Sequence, residues 1–158
     1  MTRPLDEWIG QLYDRYGAAL YRYAVMVLAD PAGAADVVQT VFVALFRLTS
    51  APEFEERYLR RAVRNECFSV LRQRRRNYTD AVDGHMLDAI AAKDERTDER
   101  LVLEQALREL PAEQREVVHL KVFEGMTFQE VADMTDESIN TVASRHRYAI
   151  EKLRELLK

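Results

Sequence analysis

Residues 127–147, TFQEVADMTDESINTVASRHR, contain two helical patterns separated by a short polar turn. Thr127 and Glu130 have the spacing of a capping box, which predicts the start of a helix that ends near Met134. After the turn, Ser138 is of the residue type that caps a helix N-terminus, and a longer amphipathic pattern follows it. A short helix, a turn of a few residues and a longer second helix together predict a helix-turn-helix.

The start of the second helix is predicted to contact DNA, because its side chains are of types that bind base edges or phosphates in a major groove. These residues are Asn140, Thr141, Ser144, Arg145, His146 and Arg147. The residues predicted to be buried on the other side are Ile139, Val142, Ala149, Ile150, Leu153 and Leu157. Many helix pairs have no DNA role, so the pattern alone leaves a purely structural pair open.

Apolar residues recur every three or four positions through most of the remaining chain, which indicates amphipathic helices. The predicted spans are 5–28, 31–48, 54–74, 111–123, 127–134 and 138–157, with one further helix beginning near Leu101. Asp30 followed by Pro31 is typical of a helix start, and Gly125 is typical of a helix end. The sequence therefore predicts an all-α fold.

The formal net charge of −4 is unevenly distributed along the 158 residues. Residues 57–76 hold eight arginines and one glutamate, whereas a solvated helix face normally mixes signs. This run predicts a surface that binds phosphates. Residues 77–100 carry seven acidic and three basic residues and show weak periodicity. We expect them to form a linker that is partly helical over 86–92.

Composition and motifs exclude several classes of protein. A hydrophobic content of 47% excludes a wholly disordered chain. The single cysteine, Cys67, cannot form an internal disulfide, which favours a reducing, cytoplasmic compartment, and we expect it to be a buried core residue. The first residues lack the apolar core of a signal peptide. The longest apolar run, 23–29, has seven residues, against about 20 for a membrane span.

Catalysis is not expected. His85, His119 and His146 are far apart, and no pair has the spacing of metal ligands. The sequence contains no glycine-rich phosphate loop and no nucleophile motif. We therefore predict no metal, no cofactor and no small-molecule substrate.

Five short motifs occur in an order that resembles a known family. They are DVVQTVF at 36–42, RRAVRN at 60–65, LPAEQR at 110–115, FQEVA at 128–132 and NTVASR at 140–145. Together they resemble bacterial RNA polymerase sigma factors of the sigma-70 family, extracytoplasmic-function (ECF) type. The resemblance implies a three-helix region 2 over 1–76, a linker over 77–100 and a four-helix region 4 over 101–158.

The resemblance implies specific roles in region 2. Asp36, Gln39 and Phe42 match positions that bind core polymerase, although Phe42 is equally suited to the core. The −10 promoter element would be contacted by Tyr58, Arg60, Arg61, Arg64, Asn65, Arg72, Arg74, Arg75 and Arg76. Within this set Asn65 would line a pocket for a flipped base, since an amide suits a Watson–Crick edge. Tyr58 is either a stacking platform or a core residue.

The resemblance also implies roles in region 4 and a set of partners. The −35 element would be contacted by Ser138, Asn140, Thr141, Ser144, Arg145 and Arg147. Of the two arginines, Arg147 would face the groove and Arg145 a phosphate, with an intradomain ion pair as the alternative for Arg145. The implied partners are core RNA polymerase, through its β′ clamp helices and β flap, promoter DNA and an anti-sigma factor, with no insertion into a membrane.

Two other functions fit parts of the sequence. A stand-alone helix-turn-helix regulator would bind DNA through 101–158 without polymerase. A helical interaction protein would keep the helices and lack DNA contacts, but the arginine run at 57–76 argues against it.

Overall fold

The computed structural model describes residues 4–78 and 98–158, and within these ranges the regular structure is entirely helical. The chain divides into two compact units, with the boundary between Gln73 and Arg74. The all-α prediction is therefore confirmed. The predicted helix over 86–92, and His85 beside it, lie outside the described residues.

The first unit contains α1 (Pro4–Leu28), α2 (Pro31–Leu45) and most of α3 (Glu55–Tyr78), a helix that continues past the boundary at Gln73. Asp30 precedes α2 in an extended conformation, and proline follows it in the first turn, as predicted. α2 ends three residues before the predicted boundary at 48. The amide groups of Phe46, Arg47 and Leu48 bond to carbonyls three residues back, so the last turn tightens and the α-helix stops.

The core of the first unit comes from one face of each helix. α1 contributes Tyr23 and Val27, α2 contributes Val37 and Leu45, and α3 contributes Leu59, Val63 and Cys67. Cys67 is thus a buried residue, as expected. The indole Nε1 of Trp8 donates to Glu55 Oε1 at 2.7 Å, which joins the start of α1 to the start of α3.

The second unit contains α4 (Asp98–Glu109), α5 (Ala112–Val118), α6 (Phe128–Thr135) and α7 (Ile139–Leu156). α5 continues into a π-helical turn, His119–Phe123. Gly125 then takes a positive φ of 72°, a conformation that favours glycine, and the Met126 amide returns to Leu120 O at 2.9 Å. The predicted helix end at Gly125 is therefore confirmed.

Arg115 fixes the junction between α4 and α5. Its buried guanidinium donates to the carbonyl oxygens of Arg108 and Leu110, which lie at the end of α4. Burial lowers the pKa of Arg115, and the nearby Glu113 carboxylate opposes that shift. The arginine of the LPAEQR motif thus satisfies carbonyl groups that a helix end leaves without partners.

Helices occupy both ends of the predicted linker, since α3 reaches Tyr78 and α4 begins at Asp98. The buried side of α7 is also narrower than predicted. Val142, Ala149 and Leu153 are buried, whereas Ile139 and Leu157 are exposed. Ile139 is the first residue of α7 and Leu157 follows its last, while the buried three lie between them.

Candidate nucleic-acid interface

The helix-turn-helix of the second unit is fixed by local hydrogen bonds at each helix start. Thr127 Oγ1 accepts from the Glu130 amide, and Glu130 Oε1 accepts from the Thr127 amide, both at 3.1 Å. The predicted capping box is thus present. Ser138 Oγ accepts from the Thr141 amide at 3.1 Å and donates to Thr141 Oγ1 at 2.8 Å. These bonds set where α7 begins and therefore which of its residues face outward.

The turn between α6 and α7 contains a left-handed residue. Asp136 has φ 58° and ψ 36°, and the Glu137 amide donates to Ala132 O at 3.1 Å. Aspartate tolerates this conformation better than most residues. The side chain of Thr135 is buried, and its hydroxyl donates to Val131 O at 2.8 Å. The turn backbone is consequently tied to α6.

The outer face of α7 presents a mixed polar and aromatic stripe. Asn140 and Arg147 are exposed, and Ser144 is half-buried between them. Tyr148 is 54% exposed, and the Arg147 guanidinium carbon lies 5.1 Å from the centre of its ring. Sequence reasoning missed Tyr148. Its spacing of four from Ser144 and eight from Asn140, which puts all three on one helix face, is the signal that identifies it.

Arg145 does not share that face. Its Nη2 lies 3.2 Å from Glu137 Oε1, so the intradomain ion pair is the alternative that the structure contains. Successive residues turn about 100° around a helix, which separates Arg145 from Arg147 by about 200°. The two arginines therefore point to different sides of α7.

His146 is a packing residue in this structure, contrary to the prediction that it lies on the DNA-contacting face. Its ring meets Phe128 of α6 edge to face at 5.3 Å. Lys121 Nζ lies 4.9 Å from the centre of the same Phe128 ring. Desolvation lowers the pKa of His146, and the charge of Lys121 lowers it further. The neutral imidazole is thus the form that this packing favours.

The first unit has an open groove of about 620 Å³ between the loop before α3 and the first turns of α3. Its lining side chains include Phe54, Arg57, Tyr58, Arg61 and Asn65. Tyr58, Arg61 and Asn65 were predicted from the resemblance, and their spacings of three, four and seven place them on one helix face. The groove brings an amide, two aromatic rings and two guanidinium groups together.

Phe54 is a groove residue that the predicted helix over 54–74 includes as its first residue. It is 65% exposed, and its carbonyl accepts from the Tyr58 amide at 2.9 Å. It therefore occupies the position before the first helical residue, where Ser, Thr, Asp and Asn are favoured. An apolar residue at that position, directly before an arginine-rich helix, is the sequence signal.

Two of the predicted arginines lie away from the groove. Arg60 Nε is 3.2 Å from Glu56 Oε1, and only 14% of the Arg60 side chain is exposed. It lies beside Tyr16 and Leu20 of α1. Arg64 covers the ring of Phe68 at 4.8 Å. Arg60 is therefore paired within its own unit, and its contact with a phosphate stays a prediction.

The end of α3 carries the remaining predicted arginines. Arg72, Arg75 and Arg76 are exposed, and Arg74 is half-buried. Basic residues in the last turn are favoured by the helix dipole, so this end of α3 combines local stability with a concentration of positive charge.

The three residues of α2 that are predicted to bind polymerase differ in exposure. Asp36 and Gln39 are both exposed and lie three residues apart on one face. Phe42 is only 6% exposed, and its ring meets Tyr13 of α1 edge to face at 5.2 Å. The structure thus favours the core alternative for Phe42.

Residues 4–78 and 98–158 contain no cluster of His, Cys, Asp or Glu suited to a metal ion. Among the helices of these residues, none combines the length and apolarity needed to cross a bilayer.

Two family models match the chain: Sigma-70 region 2 over residues 12–77 and Sigma-70, region 4 over residues 106–155. The chain is 31% identical over 157 residues to the ECF RNA polymerase sigma factor SigL of Mycobacterium tuberculosis, covering 93% of this chain and 87% of SigL. It is 28% identical to SigK of Mycobacterium bovis, covering 93% of this chain and 84% of SigK.

Solved structures match in fold. The sigma factor RpoE of Bartonella quintana, in complex with the anti-sigma factor NepR, aligns with a TM-score of 0.70 at 23% identity, covering 94% of this chain and 95% of that chain. CnrH, in complex with the cytosolic domain of CnrY, aligns with a TM-score of 0.66 at 26% identity. The alignment covers 96% of this chain and 88% of the CnrH chain.

These matches favour neither a stand-alone regulator nor a helical interaction protein, because both sigma regions are present in family order. A sigma factor directs transcription initiation and is not an enzyme. The chain therefore belongs to the ECF sigma factors of the sigma-70 family.

Proposed function

We propose that this sigma factor reads the −10 element with the groove on α3 and the −35 element with the outer face of α7. Residues 1–76 form the −10 and polymerase-binding module, 77–100 the linker and 101–158 the −35 module. The observation that carries the proposal is the groove that joins Tyr58, Arg61 and Asn65.

The groove suits one unstacked base. It is open to solvent and, at about 620 Å³, has room for an unstacked base. Phe54 and Tyr58 offer aromatic faces for stacking, and the Asn65 amide offers a donor and an acceptor to a base edge. Arg57 and Arg61 supply positive charge beside the bound nucleotide. The arginines at the end of α3 hold the flanking backbone without reading sequence.

The −35 contacts come from the exposed stripe on α7. Asn140, Ser144 and Arg147 reach base edges in the major groove, and Tyr148 extends the same face. Ser138 and Thr141 are engaged in the helix cap, so their part is to place the helix start beside the DNA backbone. Base-edge readout thus rests on Asn140, Ser144 and Arg147.

Core polymerase binds the exposed face of α2. Asp36 and Gln39 contact the β′ clamp helices, and region 4 contacts the β flap. Phe42 supports this face from the core rather than touching the polymerase. Because polymerase and promoter DNA are cytoplasmic, the protein acts in the cytoplasm.

An anti-sigma factor regulates this chain. Support comes from RpoE, which matches over nearly the whole chain and was solved with the anti-sigma factor NepR. A partner of this kind keeps the sigma factor from polymerase until a signal releases it.

Selection from a DNA pool with a randomised −35 region tests the proposal. Holoenzyme made from core polymerase and the full chain is expected to enrich one sequence family. Arg147→Ala should relax preference at one −35 position by about 1–3 kcal/mol, since one base contact is lost. Arg154→Ala, which removes an exposed arginine from the last turn of α7, is the matched control and should leave the enriched family unchanged. An unchanged preference in Arg147→Ala contradicts the assignment of this face.

A further inference from the structure

The turn before α7 carries two adjacent carboxylates, Asp136 and Glu137. The proposed function brings this end of α7 beside a DNA backbone, where an uncompensated carboxylate repels phosphates. Glu137 is half-buried, and its Oε1 lies 3.2 Å from Arg145 Nη2. The pair spans eight residues and connects the turn to the second turn of α7.

The guanidinium of Arg145 is poorly placed to bind a phosphate itself. Only 25% of its side chain is exposed, and Nη1 is buried without a hydrogen-bond partner among the described residues. A charge-assisted bond to phosphate needs a nitrogen-to-oxygen distance of about 2.7–2.9 Å. Nη1 is enclosed and Nη2 already faces Glu137, so one terminal nitrogen is buried and the other is paired within the unit. Arg147, by contrast, is exposed.

We infer that Arg145 is a positioning residue that acts on −35 binding through Glu137. The pair neutralises the Glu137 carboxylate at the DNA-facing end of α7 and holds the turn against the helix. This inference rests on the proposed function, because it requires that α7 contacts the −35 element.

A double-mutant cycle with holoenzyme made from the full chain separates this role from a phosphate contact. The probe is one duplex recovered from the randomised −35 pool by the wild-type holoenzyme. Arg145→Ala, Glu137→Ala and the double variant are titrated over about 50–200 mM salt, the range in which phosphate contacts dominate affinity. Where Arg145→Ala fails to fold, Arg145→Gln, which keeps more of the side chain, enters the same cycle.

Arg145→Ala is expected to weaken binding by about two- to fivefold when Glu137 is present, as for a partly exposed ion pair. Arg145→Ala should have no further effect in the Glu137→Ala background. In that background the slope of log affinity against log salt concentration should be the same with and without Arg145. An equal loss in both backgrounds, with a slope lower by about one, would show a phosphate contact and overturn the inference. Unchanged binding of Arg145→Ala alone would overturn it as well.

Failure of the proposed function gives a different result. If Arg147→Ala and Asn140→Ala also leave binding of this duplex unchanged, then α7 does not read the −35 element. If those two variants weaken binding while the cycle shows no coupling, only the role of Arg145 is wrong.

Discussion

Phe54 occupies a position at which folding and the proposed binding of a base favour different residues. A serine there would cap α3 through its hydroxyl, whereas the phenylalanine ring projects into the groove. Phe54→Ser should therefore stabilise the first unit by about 0.5–1 kcal/mol and impair promoter opening at the same time.

Urea unfolding followed by the fluorescence of Trp8 measures the first effect, because Trp8 is the only tryptophan and contacts Glu55 of α3. Permanganate reactivity of the promoter measures the second. Phe54→Tyr is the control, since it keeps an aromatic ring and should open the promoter normally. Normal opening by Phe54→Ser would remove Phe54 from the site.

His146 makes the stability of the second unit depend on pH. Its pKa is lowered in the folded chain, so the folded state binds fewer protons than the unfolded state near that pKa. Stability should therefore fall as the pH drops below about 6.5, the ordinary value for histidine. His146→Leu removes the titrating group and keeps an apolar contact with Phe128.

Thermal unfolding of both proteins across pH 5.5–7.5 checks this expectation. The melting temperature of His146→Leu, relative to that of the wild type, should rise as the pH falls. Contributions from the other histidines, including buried His119, are common to both proteins and cancel in the difference. A difference independent of pH would contradict the role given to His146.

At the scale of elements, helix starts were predictable from sequence because capping is local chemistry. Thr127, Ser138 and Pro31 each act within a few residues of their own position. The ends of α2 and α3 were less predictable, because no glycine or proline fixes them. Side-chain partners were least predictable, because the spacing of an arginine and a glutamate permits a pair without requiring it. Arg60 pairs with Glu56 four residues earlier on α3, and Arg145 pairs with Glu137 in the turn before α7.

The exposed face of α2 is tested by a double substitution. Asp36→Ala combined with Gln39→Ala should weaken binding to core polymerase tenfold or more, since each lost polar contact costs about 1–3 kcal/mol. Both side chains are exposed, so the fold should be kept. Fluorescence titration of the labelled chain with core polymerase measures the affinity.

α1 offers a closely matched control for this pair. Gln11 and Asp14 are the same residue types, are also exposed and are also three residues apart. Replacing both with alanine should leave polymerase affinity unchanged. Equal losses from the two double variants would show a general effect of charge rather than a binding face on α2.

At the scale of the whole molecule, the net charge of −4 coexists with the arginine-rich run at 57–76. Overall acidity limits binding to the large excess of non-specific DNA, because that binding is electrostatic. The concentrated charge on α3 remains available at a promoter that polymerase has already engaged. The distribution of charge, more than its sum, therefore fits a factor that acts within a holoenzyme.

The groove on α3 is proposed to take up a base of the −10 element. Permanganate footprinting of a promoter bound by holoenzyme tests it most directly, with Asn65→Ala compared against Asn77→Ala, an exposed asparagine at the far end of the same helix. We predict that both variants bind core polymerase normally, that Asn77→Ala opens the promoter as the wild type does, and that Asn65→Ala loses about 1–3 kcal/mol of opening free energy. Wild-type opening by Asn65→Ala would show that the groove does not take up a −10 base.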